Sequence, residues 1–366
     1  MKLPIISLCL AAGLVLFSSC ADSTAEKSLE ISAIPEYEIT LVDSFGVEMG
    51  DSLTMLGFIR DFCYHSNGSV LILDGRRKNI LVLPASGSPY RISRPGSGPG
   101  EFQMCESICV LTDGRILAGD DGKHEVMIFD ISGEYLGTFF NTEWYVPFKM
   151  YPVDSQAVIA NLLDFAMGEN GFSTSYVIGK FQRSPEADPC FLSRNWELVP
   201  AETMTRTLLT DFCADREGNV FITGNNTIYS VSIFNSAGEI IGTIERGDIA
   251  RLQKTDELFD EETRLHEQQP MQDYRYNEPY AFHKLIALAG IDSEGNLWVT
   301  RFDSMPDCLF DIWSPSGELL YTARLQRTEE SPELVIIKVD RGGILASTSG
   351  SADVERIYFL ECNRNI

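Results

Sequence analysis

Glycines open short apolar runs at regular intervals along this chain. Gly68 precedes Ser69–Leu73, Gly218 precedes Asn219–Thr223, and Gly114, Gly295 and Gly342 stand in the same relation to the residues after them. In four of these units a second glycine, Gly87, Gly133, Gly238 or Gly317, follows 19 to 22 residues later. Apolar runs of this length, punctuated by turn glycines, read as β-strands joined by tight hairpins. Self-similarity at a period of about 45 residues reads as a repeating unit of four strands. The expected fold is all-β, a six-bladed β-propeller.

Unit one runs from about Phe58 to Ser93, unit two from Gln103 to Phe140, and unit three from Pro147 to Ser193. Unit four covers Leu208 to Glu245, unit five covers Phe282 to Leu325, and unit six begins near Glu333. Unit three is the most degenerate, with Asp154–Ala157 where the turn glycine belongs. Unit six has no room for a fourth strand before Ile366. Tyr37 to Ser44, with Tyr37, Ile39 and Leu41 on one side of the alternation, supplies the missing strand; closing the ring this way removes open sheet edges. Residues 247–280, between units four and five, break the pattern. Within them Thr255 as N-cap, early acidic residues, and Leu258, Phe259 and Leu265 at helical spacing predict a short helix. Its acidic side is either a solvated helix face or a cation site.

The chain starts with Lys2, an apolar stretch Leu3–Phe17, and Ser18 and Ser19 before Cys20. This is a secretory signal over residues 1–19, with an apolar core too short to span a bilayer. Leu16–Cys20 resembles a bacterial lipobox, with Phe17 where Leu is usual, and the resemblance implies acylation of Cys20. Residues 20–35 then form the lipidated Cys and a polar tether, and residues 36–366 the propeller. Acyl chains anchor at ~0.8 kcal/mol per buried CH₂, so the expected protein sits on a membrane without crossing it.

Charge narrows the partners. The chain carries 53 acidic and 29 basic residues, a net charge of −24. Such a surface repels phosphate backbones, which argues against nucleic acid, and offers no polybasic grip on lipid. Beyond Cys9 and Cys20, seven cysteines remain, and an odd number leaves at least one unpaired in an exported protein. Cys63, Cys109 and Cys213 each stand five residues before a turn glycine, equivalent positions that suit a small apolar residue packed between blades. The single Cys105-x-x-x-Cys109 spacing falls short of the paired sets that hold structural zinc.

Arg94–Phe102, with Gly98, Pro99, Gly100 and Glu101 at its core, resembles the blade-linking motif of six-bladed β-propeller lipoproteins of gut-type Gram-negative bacteria. The Gly-Glu turns at Gly133, Gly238 and Gly317 fit the same pattern. Asp292–Val299, preceded by Pro279–Phe282, is similar to a motif of NHL-type and TolB-like propellers. The resemblance spans about Glu36 to Cys362. It implies the fold and export to the envelope, expected at the outer membrane on either its periplasmic or its surface face. It implies no reaction, because most such proteins have no assigned activity. Read physically, Gly96, Gly98 and Gly100 permit left-handed turns while Pro95 and Pro99 stiffen the loop. Glu101 then caps amides or pairs with Arg94. The loop is either a structural crossover between blades or a set of exposed amides for an anion or glycan.

Ligands of propellers commonly bind where the first strands converge on the central channel. Polar residues near the starts of those strands are the candidates: Arg60, Asp61, Glu106, Lys149, Asp211, His283 and Lys284. Asp61 and Asp211 lie seven residues before their glycines in units three apart, hence across the channel. They either hold a divalent cation or act as acid and base, or else cap strands and pair with Arg60 and Lys284. Trp144, Tyr145, Phe148, Tyr151, Tyr274, Tyr276 and Tyr280 cluster in the links into units three and five, as core or as a stacking surface for sugars. No Gly-x-Ser-x-Gly elbow occurs. The expected protein is a lipid-anchored, monomeric ligand- or protein-binding module, with a glycan or an envelope protein as partner. The rivals are a metal-dependent hydrolase or lyase of the lactonase-like type and a structural subunit of an envelope complex.

Overall fold

A computed structural model describes residues 34–363 except 52, 144, 169–170, 184–210, 268–280, 305, 328–330, 333 and 349–353. The signal, Cys20, most of the tether, Cys190, Trp144, Tyr274, Tyr276 and Tyr280 lie outside the described residues. β1 (Glu36–Phe45) comes first. The first blade follows as β2 (Ile59–Tyr64), β3 (Val70–Asp74), β4 (Asn79–Leu83) and β5 (Tyr90–Ile92). The second is β6 (Cys105–Val110), β7 (Ile116–Asp120), β8 (Glu125–Phe129) and β9 (Tyr135–Asn141). Three described strands make the third: β10 (Met150–Pro152), β11 (Ala157–Gly168) and β12 (Gly171–Gln182). The fourth is β13 (Asp211–Ala214), β14 (Val220–Thr223), β15 (Ser230–Phe234) and β16 (Ile240–Glu245). After the helix α1 (Asp256–Glu267) the fifth blade is β17 (Ile286–Ile291), β18 (Leu297–Arg301), β19 (Cys308–Trp313) and β20 (Leu319–Leu325). The sixth is β21 (Ile336–Asp340), β22 (Gly343–Ser347) and β23 (Ile357–Asn363).

Burial grades outward across each blade, which explains the sequence pattern. Strands β3 and β7 are buried at every position, because neighbouring blades cover both their faces. The outermost β16 is exposed at four of its six positions. The hairpin glycines do what the spacing predicts. Gly68, Gly114, Gly218 and Gly295 have φ between 83° and 88°, the left-handed region where a side chain is strained. Unit six departs from the expectation: Gly343 takes positive φ, and Gly342 instead lies against Tyr64, where a Cβ would meet the ring at 2.1 Å. In unit three Asp154 replaces the glycine, its Oδ1 accepting from the Gln156 amide at 2.6 Å.

The ring closes at both radii. Each innermost strand touches the innermost strand of the next blade, and β21 returns to β2. At the rim β1 pairs antiparallel with β23 from Glu38↔Asn363 to Phe45↔Ile357, the closure expected for Tyr37–Ser44. It also pairs in parallel with β20 from Glu36↔Thr322 to Ile39↔Leu325, so the fifth and sixth blades share one closed hydrogen-bonded sheet. The inner contact of that sheet, Gly290↔Val339, needs glycine, since a Cβ there would lie 1.9 Å from the Val339 carbonyl. Helix α1 forms where the insertion predicts it, its Leu258 amide donating to Thr255 Oγ1 at 3.3 Å.

Ile39 is 2% exposed and packs among Trp298, Tyr321, Leu325 and Leu360, whereas Leu41 is 43% exposed. Ile39→Ala is expected to cost about 3 kcal/mol of unfolding free energy. Leu41→Ala should cost less than about 0.5 kcal/mol. Urea denaturation measures both, and equal small losses would mean the closing strand does not seat in the core.

Candidate functional site

The innermost strands carry two copies of one polar device. In the first blade, Asp61 Oδ1 accepts from the Phe62 amide at 2.8 Å, and Oδ2 accepts from Ile108 of the second blade at 2.9 Å. Lys338 of the sixth blade donates its ammonium to the same carboxylate. In the fourth blade, Asp211 Oδ1 accepts from the Phe212 amide at 2.9 Å, and Oδ2 accepts from Leu288 of the fifth blade at 3.0 Å. Lys149, just before β10, donates to Asp211 at 2.5 Å. Each aspartate thus takes a lysine from the blade before it and an amide from the blade after it. Three blades are tied through one side chain at two places half a ring apart.

Both carboxylates have their oxygens engaged by protein donors. Asp211 is pushed up by burial, but Lys149 and then Lys284 outweigh this and hold it below the usual carboxylate range. Burial alone would lower the Lys338 ammonium, and the charge and hydrogen bond of Asp61 reverse that. The pairing expected between Asp61 and Arg60 does not form. Arg60 instead forks onto Glu106 across the first and second blades, Nε to Oε2 at 2.7 Å and Nη2 to Oε1 at 2.5 Å. His283 is exposed and its amide donates to Leu252 O at 2.7 Å. The Lys284 ammonium lies 5.4 Å from the centre of the Phe302 ring. Among the described residues no three His, Cys, Asp or Glu side chains converge as a metal would need.

The central cavity sits at the other end of the channel. It has a volume of about 420 Å³ and is lined from all six blades, at the ends of their innermost strands and in the turns that follow. Of the seven candidates only Lys149 lines it. Its walls include Phe62, Ile108, Cys109, Met150, Ala289 and Val339, and its polar groups include Tyr64, His65, Arg216, Lys338, Asp340 and Arg341. Reading from strand starts misses these. The residues just before the turn glycines carry the signal. Asp-Arg-x-Gly occurs there twice, at Asp215–Gly218 and at Asp340–Gly343.

Several cavity residues are held by structural bonds. His65 Nδ1 accepts from the Asn67 amide at 3.2 Å, so Nε2 carries the proton and donates to Gly114 O at 2.7 Å, tying the first two turns together. Asp340 accepts from the Tyr64 amide at 2.9 Å and from Gly342 at 2.7 Å. Burial still holds the Asp340 carboxyl above its usual range and pushes the Tyr64 phenol up to about 12. Cys63 and Cys109 also line the cavity as free thiols, and burial raises both, which leaves them poor nucleophiles.

The Arg94–Phe102 loop binds an anion of its own. Glu101 Oε2 accepts from the Gly98 amide at 2.9 Å, and its Oε1 accepts from Arg94 Nε at 2.7 Å. Lys123 donates to the Gly98 and Glu101 carbonyls at 3.2 and 3.5 Å. A Cβ on Gly96 would meet Glu101 Oε2 at 2.0 Å, and one on Gly100 would meet Tyr135 at 2.8 Å. The crossover reading of this loop matches these contacts. Of the predicted aromatics, Tyr145 and Phe148 are 39% and 41% exposed, while Tyr151 lines the cavity edge-on to Phe212. A polar cluster that the sequence reading missed joins the fourth and fifth blades. There the buried Asp311 takes Arg246 at 3.1 Å and Arg301 at 3.3 Å.

Residues 52–178 match the model of the DUF5128 family, described as a 6-bladed beta-propeller. The chain is a β-propeller. A member of the duf4221 family from Bacteroides vulgatus is similar over 90% of this chain and 99% of its own, at 9% identity and a TM-score of 0.50. A PQQ-bound aldose sugar dehydrogenase from Streptomyces coelicolor is similar over 89% of this chain and 98% of its own, at 13% identity and a TM-score of 0.47. Virginiamycin B lyase from Staphylococcus aureus is similar over 88% and 99%, at 9% identity and a TM-score of 0.44. At such identities the likeness is one of fold. No curated protein matches the chain.

Removing either hub aspartate leaves an ammonium and two amides without their acceptor. Asp61→Ala is expected to cost about 3 kcal/mol and Asp211→Ala about 2 kcal/mol, because Lys149 is more open to water. The two losses should add to within about 0.5 kcal/mol across the ring. The depressed Asp211 carboxyl stabilises while it is ionised, an effect present at neutral pH and lost as pH falls through its folded value. The Asp211→Ala deficit in urea denaturation should therefore shrink between pH 7 and about pH 3.5. A deficit that does not change with pH would mean the Lys149 pair adds nothing.

Proposed function

We propose that this chain is a lipid-anchored propeller of the cell envelope that captures a small-molecule ligand in its central cavity. One observation carries the reading: all six blades contribute to a single cavity of about 420 Å³, a size and a largely apolar lining typical of ligand sites. Five of the seven candidate polar residues are spent in ion pairs, Asp61 with Lys338, Asp211 with Lys149 and Arg60 with Glu106. Capture rather than turnover fits that arrangement. The anchor rests on the lipobox-like Leu16–Cys20 and the apolar stretch before it.

Ser66 is exposed at the cavity mouth, so Ser66→Trp should plug it and leave the core intact. A ligand found by thermal-shift screening of the purified chain should lose its stabilising effect in Ser66→Trp, with the unliganded melting temperature unchanged. A ligand that still shifts the variant binds elsewhere and would refute the cavity reading. In cells, Cys20→Ser should release the protein from the membrane fraction.

A further inference from the structure

We infer that the cavity takes an amphipathic organic anion, its carboxylate held between Arg216 and Arg341 at the turn end and its apolar body inside. The inference deepens the cavity-binding reading and rests on it. The two arginines occupy the same position in two equivalent turns, Asp215–Gly218 in the fourth blade and Asp340–Gly343 in the sixth. Both line the cavity, both are exposed, and neither guanidinium has a hydrogen-bond or ion-pair partner among the described residues. Other arginines of this acidic chain, among them Arg60, Arg94, Arg115, Arg246, Arg301 and Arg324, are bound to carboxylates.

The aspartate beside each arginine already accepts from other donors, Asp215 within its own turn and Asp340 from its turn and from the first blade. Asp215 accepts from the Glu217 and Asn219 amides, both at 2.9 Å, and from Asn219 Nδ2 at 2.8 Å. Asp340 accepts from Tyr64 and Gly342. The guanidiniums stand close enough that, after burial, the charge of Arg341 is the second cause lowering the pKa of Arg216. Two guanidinium forks that make no hydrogen bond of their own among the described residues are left to take an external oxyanion, which a guanidinium binds with two hydrogen bonds. Deeper in, the charge is already cancelled, since Lys149 is paired with Asp211 and Lys338 with Asp61. Phe62, Ile108, Val110, Leu111, Met150 and Val339 form the apolar part of the walls, beside the engaged polar groups of His65 and Asp340. Two unengaged guanidinium forks at the mouth, over walls that are apolar for much of their area, select a molecule with one anionic end and a hydrocarbon or aromatic body.

The test is isothermal titration of the full chain with decanoate below its micelle concentration, 1-decanol, glucuronate and maltose. Variants are Arg216→Gln, Arg341→Gln, Arg216→Lys and, as a remote control, Arg264→Gln. Decanoate should bind, and binding should weaken at least tenfold in each Gln variant, recover in part in Arg216→Lys, and not change in Arg264→Gln. Raising the salt concentration should weaken it as well. Decanol should bind less tightly and ignore the arginines. Decanoate binding that survives both Gln changes would overturn the inference, as would maltose or glucuronate binding in its place. In the maltose or glucuronate case the cavity reading stands if Ser66→Trp abolishes binding. If none of the four probes binds the unmodified chain, the anion inference falls. Unchanged melting temperatures in the variants keep a folding defect from mimicking the expected result.

Discussion

A ring of six sheets must bring six strands together around one axis, and the main-chain amides between those strands need acceptors that the protein supplies. Asp61 and Asp211 answer this constraint. Each supplies two oxygens at the point where three blades meet, satisfying one amide of its own blade, one of the next, and a lysine of the blade before. Buried amides left without acceptors cost more than the hydrogen bond itself contributes, so these carboxylates set the spacing of the inner ring. The rim is tied differently, through β1 between β23 and β20. The cavity that all six blades line opens at the end of the channel away from the starts of the inner strands.

Much of this architecture was legible in the chain. Turn glycines marked the blades because only a left-handed residue closes those hairpins, and Gly68, Gly114, Gly218 and Gly295 all adopt that conformation. The closing strand and the Thr255-capped helix followed from alternation and capping chemistry. The departures have equally local causes. Gly342 is required by the ring of Tyr64 rather than by its own backbone angle, and Asp154 turns the third hairpin with its side chain. In the linking loop the two readings differ in whether the amides face a ligand, and Glu101 already occupies that of Gly98.

The site was less legible. Period-two reasoning fails across the β-bulges that interrupt β2 between Ile59 and Asp61, β6 between Cys105 and Ser107, and β17 between Leu288 and Gly290. A bulge turns a residue from one face to another, so Asp61 aims at its neighbouring blades. Its lysine comes from 277 residues away, a pairing no local pattern encodes. Arg216 and Arg341 sit in the turns after the inner strands, where a pattern of strand starts does not point. Their shared Asp-Arg-x-Gly setting is visible once Gly343 is recognised as the turn glycine.

Whether Asp61 and Asp211 are structural hubs is measured most directly by amide hydrogen exchange at Phe62, Ile108, Phe212 and Leu288. These four amides should be among the slowest to exchange and indifferent to added calcium, magnesium or zinc. Asp61→Ala should release Phe62 and Ile108 while leaving Phe212 and Leu288 protected. Fast exchange in the unmodified protein, or protection that depends on a divalent ion, would contradict the account and make the two carboxylates a cation site.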